Sequence, residues 1–131
     1  MGKLLKLGIN GKFFNVIRNI YTSDRACVKL NGKRSESFRV DIGVRQGCIL
    51  SPLLFNIFLC DLAKSLQEIE CPAIGNLNSL FWADDLVMFS DSEIGLQNML
   101  STLEKYCKEN ELVINTKKTK CMTFNKTGRL L

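Results

Sequence analysis

Leu80-Phe81-Trp82-Ala83-Asp84-Asp85-Leu86-Val87-Met88-Phe89 sets two adjacent acids between two four-residue apolar runs. Aromatic and β-branched content around a two-residue break fits a short hairpin better than a helix. Two neighbouring carboxylates in such company are costly, because like charges repel and desolvation penalises both. A divalent cation would remove that cost. Hard cations such as Mg²⁺ take carboxylate oxygens, and two metals about 4 Å apart can clamp the attacking and leaving oxygens of a phosphoryl transfer. Aspartate is also a good turn former, so the pair could equally be the plain tip of a hairpin.

Downstream, Ser90 and Glu93 have capping-box spacing, and Leu96, Met99, Leu100, Leu103, Tyr106 and Cys107 line one face of a helix ending near Asn110. Leu112 to Ile114 and Cys121 to Phe124 read as short strands around a lysine-rich turn. Upstream, Ser51-Pro52 is an N-cap followed by proline at the first helical position, opening a helix from Leu53 to about Gln67. That helix is apolar on nearly all sides and is expected in the core. Gly43 and Gly47 bracket Val44-Arg45-Gln46 in a loop whose backbone can approach another group. Asn31-Gly32 is a strong turn signal between Ala26–Leu30 and Phe38–Ile42, whose alternation predicts a hairpin with one buried face. Residues 12–22 have helical spacing of Phe13, Val16, Ile17, Ile20 and Tyr21. Helix, hairpin, helix, hairpin, helix and strands make an α+β layer of antiparallel strands backed by helices.

The 131 residues, 46% hydrophobic and 24% charged, allow one packed domain and exclude a disordered chain. Residues 1–50 carry ten Lys/Arg against three Asp/Glu, residues 51–111 three against ten, and residues 112–131 five against none. Basic flanks around an acidic centre suit a protein that grips a polyanionic backbone and binds cations between; ordinary solvated faces would have the same composition. There is no histidine, which removes Ser-His and Cys-His catalysis. Six cysteines (27, 48, 60, 71, 107 and 121) form no C-x-x-C pair, so reduced, mostly buried thiols in a nuclear or cytoplasmic protein are expected rather than a zinc site or a disulfide scaffold. The run Ile49–Leu62 is too short and too polar to span a bilayer, and no membrane association is expected.

Phe81-Trp82-Ala83-Asp84-Asp85 resembles the aromatic-x-Asp-Asp box of reverse transcriptases. Gly43-Val44-Arg45-Gln46-Gly47-Cys48-Ile49-Leu50-Ser51-Pro52-Leu53-Leu54-Phe55-Asn56 resembles the R-Q-G-x-x-L-S-P-x-L-F-N segment of non-LTR (LINE-type) retrotransposon polymerases. Asn115-Thr116-Lys117-Lys118-Thr119 looks like the N-x-K-K-T stretch downstream in the same family. The three motifs stand in the family's order, and the likeness covers nearly the whole chain.

The resemblance implies that residues 1–131 are part of a reverse transcriptase domain, a polymerase palm fragment. Asp84 would be the metal-ligating aspartate and Asp85 its supporting ligand. The cofactor would be Mg²⁺, two ions in the intact family, with Mn²⁺ as an alternative. Gln46 and Gly47 would lie against template and incoming dNTP, with Ala83 beside the nucleotide. Arg45 would contact phosphate or pair with a neighbouring acid, and Lys118 would stand near the leaving pyrophosphate. Phe81 and Trp82 are expected as hairpin core rather than base-stacking platforms. The implied partners are an RNA template, a DNA primer and dNTP.

Several features depart from the pattern. The family's further catalytic aspartate, on an upstream strand, is not in this sequence, and neither Asp24 nor Asp41 has the context to replace it. Fingers and thumb are also absent. The chain alone is therefore expected to lack polymerase activity. Trp82 stands where tyrosine or phenylalanine is usual, and Glu111 where glycine often ends a helix. The alternative function is a non-catalytic nucleic-acid-binding remnant of a decayed retroelement, whose binding would weaken with salt and survive loss of both aspartates.

Overall fold

The structure is a computed structural model that describes residues 1–70 and 77–124. Helices α1 (Gly2–Lys6) and α2 (Gly11–Thr22) lead into four two-residue strands, β1 (Arg25–Ala26), β2 (Lys29–Leu30), β3 (Lys33–Arg34) and β4 (Phe38–Arg39). Helix α3 (Leu50–Gln67), the pair β5 (Ser79–Trp82) and β6 (Asp85–Met88), and helix α4 (Glu93–Glu109) complete the order. Helices with small antiparallel pairs make the chain α+β, as expected. The residues group into two compact units, Met1–Asp61 with Phe81–Asp85, and Leu62–Leu80 with Leu86–Leu131. Among the described residues, no helix is long and apolar enough to cross a membrane.

In the first unit Leu4, Ile17 and Leu59 are buried. Each fully buried aliphatic side chain contributes roughly 1.5–3 kcal/mol. Lys3 bridges to Asp61 at 2.9 Å and donates to the Phe58 carbonyl, which ties α1 to α3. This contact also holds the Asp61 carboxyl below its usual range, chiefly through the Lys3 hydrogen bond.

The strand segment departs from one plain hairpin. Asn31-Gly32 does turn the chain, with φ of 49° and 78°, as a type I′ connection requires, but it joins β2 to β3. Strand β4 pairs further down the ladder, Arg25 opposite Arg39 and Ala26 opposite Phe38. The expected buried face does not form: Val28, Leu30, Phe38 and Ile42 are all exposed, because two-residue strands offer too little surface for a layer to cover.

Helix α3 begins one residue before Ser51, so Ser51 is inside the first turn rather than its cap. Its buried hydroxyl turns back and donates to the Arg45 carbonyl at 2.5 Å. The helix is covered along one stripe, Leu59, Leu62 and Leu66, whereas Leu53 is exposed. An all-round apolar helix is therefore only half used among the described residues.

In the second unit Leu62, Leu66, Met99, Tyr106 and Cys107 form the core. Asn78 is buried among them, at 5% exposure. Its Nδ2 donates to the Leu66 carbonyl in the last turn of α3 at 2.6 Å and to the Ile69 carbonyl just beyond the helix at 3.4 Å. Its main-chain carbonyl accepts the Phe89 N–H at 2.8 Å, closing the open end of the β5–β6 pair. Ser92, not Ser90, caps α4, its Oγ accepting the Gly95 N–H at 3.2 Å. Ser90 instead braces the cap, its Oγ donating to the Ser92 carbonyl and accepting the Ser92 N–H.

Asn110 ends α4, and Glu111 follows with φ of 56°. The Leu112 N–H reaches the Cys107 carbonyl at 2.9 Å, a Schellman closure built on a non-glycine residue. Segments 112–114 and 121–124 are not strands: neither finds a pairing partner among the described residues, and Val113 is 95% exposed. The thiols are also less buried than expected. Cys107 is buried, Cys48 and Cys60 are half-buried, Cys27 and Cys121 are exposed, all five are free, and Cys71 lies outside the described residues.

Two substitutions test these assignments in thermal and urea unfolding. Glu111→Gly removes a left-handed strain of about 1 kcal/mol, part of which returns as unfolded-state freedom. It is expected to stabilise the chain and raise Tm by about 2–4 °C; a loss of stability would show that the helix end is built otherwise. Asn78→Ala is expected to cost about 1–3 kcal/mol, the magnitude for removing a buried hydrogen-bonded group. A near-neutral result would deny the buried amide its role.

Candidate active site

The β5–β6 pair carries the two acids on a two-residue connection, Ala83-Asp84. Ala83 has φ of 51°, and positive φ at the first central residue alone is the requirement of a type II′ hairpin turn. The tip is thus one residue earlier than the Asp84-Asp85 pair itself: Asp84 is in the turn and Asp85 is the first residue of β6. Alternation then sorts the side chains. Phe81, Leu86 and Met88 are half-buried, and Leu80, Trp82, Asp85 and Val87 are exposed. Neighbouring strand residues point to opposite faces, so Phe81 and Trp82 cannot both be core, and Trp82 is 83% exposed.

Asp84 and Asp85 are both exposed, and among the described residues neither has a basic partner or a hydrogen bond to its carboxylate. The cost of adjacent carboxylates is met here by water. Among the described residues no three His, Cys, Asp or Glu side chains converge as a metal cage. The pair supplies two hard oxygen donors, which suits an ion that keeps waters and takes its remaining ligands from substrate phosphates.

The Arg45–Cys48 segment is a reverse turn closed by the Cys48 N–H on the Arg45 carbonyl at 3.3 Å. Gly47, at its third position, has φ of 78°, the conformation a type II turn demands there. A Cβ on Gly47 would meet nothing within 4 Å, so the glycine is required by its backbone angle and not by crowding. Gln46 and Gly47 are therefore the two central, exposed residues of a closed turn.

Arg45 holds that turn in place. Its Nε donates to Asp24 Oδ2 at 2.7 Å and its Nη2 to the Ile20 carbonyl at 3.0 Å at the end of α2. The Asp24 hydrogen bond raises the Arg45 pKa further. Of the two roles open to Arg45, pairing with an acid is the one realised. Asp24, set aside in the sequence because its context is wrong for a metal ligand, is thus a positioning residue. Tyr21, also on α2, has its hydroxyl 3.4 Å from Ser51 Oγ and 3.9 Å from Cys48 Sγ. The Cys48 thiol is held below its ordinary pKa, first by the Leu50 backbone N–H and then, against partial burial, by the Tyr21 and Ser51 hydroxyls. No spacing in the sequence signals this cluster, because its members come from separate elements.

The tip Phe81–Asp85 belongs to the same compact unit as the Arg45–Cys48 turn. Lys118 belongs to the other. It is exposed, in a turn organised by Asn115, whose carbonyl accepts the Lys118 and Thr119 N–H groups at 3.0 Å each.

The chain matches, over residues 1–131, the family described as reverse transcriptase (RNA-dependent DNA polymerase). It is 32% identical over 119 residues to the retrovirus-related Pol polyprotein from the type-2 retrotransposable element R2DM of Drosophila melanogaster, covering 89% of this chain and 11% of that protein. A probable RNA-directed DNA polymerase from transposon BS of the same fly is 29% identical over 114 residues, covering 82% and 12%. The RNA-directed DNA polymerase from mobile element jockey of Drosophila funebris is 24% identical over 127 residues, covering 92% and 14%. The chain therefore spans a small part, 11% to 14%, of the length of these curated relatives.

Gly47→Ala is the sharpest probe of the turn. With open space around the new methyl and a left-handed backbone, it is expected to cost about 1–2 kcal/mol in thermal or urea unfolding. A neutral outcome would mean that the turn is not of the type described.

Proposed function

The chain belongs to the reverse transcriptase family, and from that premise we propose that it is the part of a polymerase palm that carries the metal-binding carboxylates, Asp84 and Asp85. The reaction is attack of a primer 3′-hydroxyl on the α-phosphate of a dNTP, directed by an RNA template. The observation that carries the reading is the exposed acid pair at the β5–β6 tip, without a basic partner among the described residues, inside the unit that also bears the Gln46-Gly47 turn.

In this reading Asp84 and Asp85 offer oxygen donors to Mg²⁺, with Mn²⁺ as an alternative. When bound, the metal stabilises charge on the transferring phosphoryl group. Ala83 keeps the backbone beside the nucleotide small. Gln46 and Gly47 face template and dNTP, and the Asp24–Arg45 pair fixes where their turn stands. Lys118 neutralises the leaving pyrophosphate. The free thiols of the described residues accord with a nuclear or cytoplasmic protein.

Paramagnetic Mn²⁺ titrated into the ¹⁵N-labelled chain tests the ligand assignment without requiring catalysis. Resonances of residues 83–86 are expected to broaden first, Mg²⁺ is expected to compete, and Asp84→Asn or Asp85→Asn is expected to abolish the selectivity. Broadening spread evenly over the chain's acids, or unchanged in both variants, would remove the metal site from the proposal.

A further inference from the structure

The β2–β3 hairpin sets cation against cation. Lys29 is paired directly with Arg34, and Lys33 follows Asn31-Gly32 at the tip. One step down, Arg25 stands opposite Arg39. Side chains directly opposite across an antiparallel pair are about 5 Å apart, and like charges there are destabilising. The two like-charge pairs are handled differently. At the base, Arg25 is engaged by Ser37, through Nε on the hydroxyl at 3.0 Å and Nη2 on the carbonyl at 2.8 Å, and Arg39 bridges to Asp41 at 2.5 Å. At the tip, Lys29, Lys33 and Arg34 are all exposed, and none of the three has an acidic partner among the described residues. From Arg25 to Val40 the only acid is Glu36. Among the described residues no ion pair offsets this repulsion.

We propose that the β2–β3 hairpin, through Lys29, Lys33 and Arg34, is a contact for the phosphate backbone of the nucleic acid, distinct from the acid pair at the β5–β6 tip. Three cations on a two-stranded ribbon neutralise phosphates and release condensed counterions without reading bases. The arrangement costs stability in the free chain and recovers it on binding a polyanion. Choosing nucleic acid over an anionic lipid surface rests on the polymerase reading above. The contact itself requires neither a metal nor Asp84 and Asp85.

Fluorescence anisotropy with a labelled RNA–DNA duplex in EDTA, over a series of salt concentrations, tests it on the intact 131-residue chain. The triple variant Lys29→Gln/Lys33→Gln/Arg34→Gln is expected to bind at least tenfold more weakly, with the slope of log affinity against log salt shallower by about 2–3, one unit for each lost phosphate contact. A control that removes as much charge elsewhere, Lys12→Gln/Lys64→Gln/Lys105→Gln, is expected to change the slope by less than about 1. Lys29→Glu, which turns the opposed pair with Arg34 into an attractive one, is expected to raise Tm while weakening binding; this separates the contact from general misfolding. Equal losses in the two triple variants, or an unchanged slope in the first, would overturn the proposal. Loss of binding to phosphatidylserine vesicles with duplex binding intact would overturn it as well. Failure of the metal reading alone would leave duplex binding of Asp84→Asn/Asp85→Asn and its dependence on Lys29, Lys33 and Arg34 unaltered, so the two readings fail separately.

Discussion

Asn78 is the buried residue at which the end of α3 and the open end of the β5–β6 pair are joined. Its side-chain amide donates to the Leu66 and Ile69 carbonyls at the end of α3, and its main-chain carbonyl takes the Phe89 N–H. A strand pair whose open end is fixed in this way cannot slip. A slip of β6 by one residue would exchange its faces, taking Leu86 and Met88 into water and carrying Asp85 inward. The apolar residues would lose burial and a carboxylate would lose its hydration, so both changes oppose the slip. Burial of the apolar face and hydration of Asp85 thus favour the same register.

Cation placement follows a similar economy. The excess of Lys and Arg in the first fifty residues is not one uniform field. Lys3, Arg39 and Arg45 have acidic partners and Arg25 has Ser37, whereas the tip of the β2–β3 hairpin has no acidic partner among the described residues. The engaged cations act locally. Arg45 in particular uses both a carboxylate and a backbone carbonyl to fix a turn whose central residues, Gln46 and Gly47, stay exposed. Partly exposed pairs of this sort are worth little as stabilisation because salt screens them, and their value lies in geometry.

Elements with a strong period or a stereochemical demand were legible in the sequence. Helices α2, α3 and α4, the turn at Asn31-Gly32, the loop ending at Gly47 and the hairpin around the acids all lie close to where spacing and turn chemistry put them. Family membership was legible for a different reason, since three motifs in order carry far more information than Asp84-Asp85 alone. What the sequence could not disclose was partner choice. Ser90 and Ser92 both sit ahead of Glu93, and only the backbone path decides that Ser92 caps the helix. Phe38 alternates as a strand residue should, yet pairs with Ala26 because β3 occupies the position nearer the turn. Residues 112–114 and 121–124 have strand composition, but a strand exists only where another backbone receives its hydrogen bonds. The Tyr21, Cys48 and Ser51 cluster and the Asp24–Arg45 pair join α2 to the loop before α3, and no period along the chain encodes such a meeting.

Three described residues other than glycine hold a left-handed backbone, and their differences bear on function. Asn31 tolerates the conformation, its short polar side chain offering local hydrogen bonds. Ala83 and Glu111 have no such relief. At Glu111 the strain ends a helix that glycine would end at lower cost, and nothing in the structure explains the choice. At Ala83 it immediately precedes both acids. Glycine there would relax the angle but open many other conformations to the tip, scattering the positions of Asp84 and Asp85. Alanine restricts the turn while adding only a methyl beside the carboxylates. Strain kept at that point, in a connection of two residues, is what the proposed metal site, presenting two oxygen donors in a fixed relation, would retain.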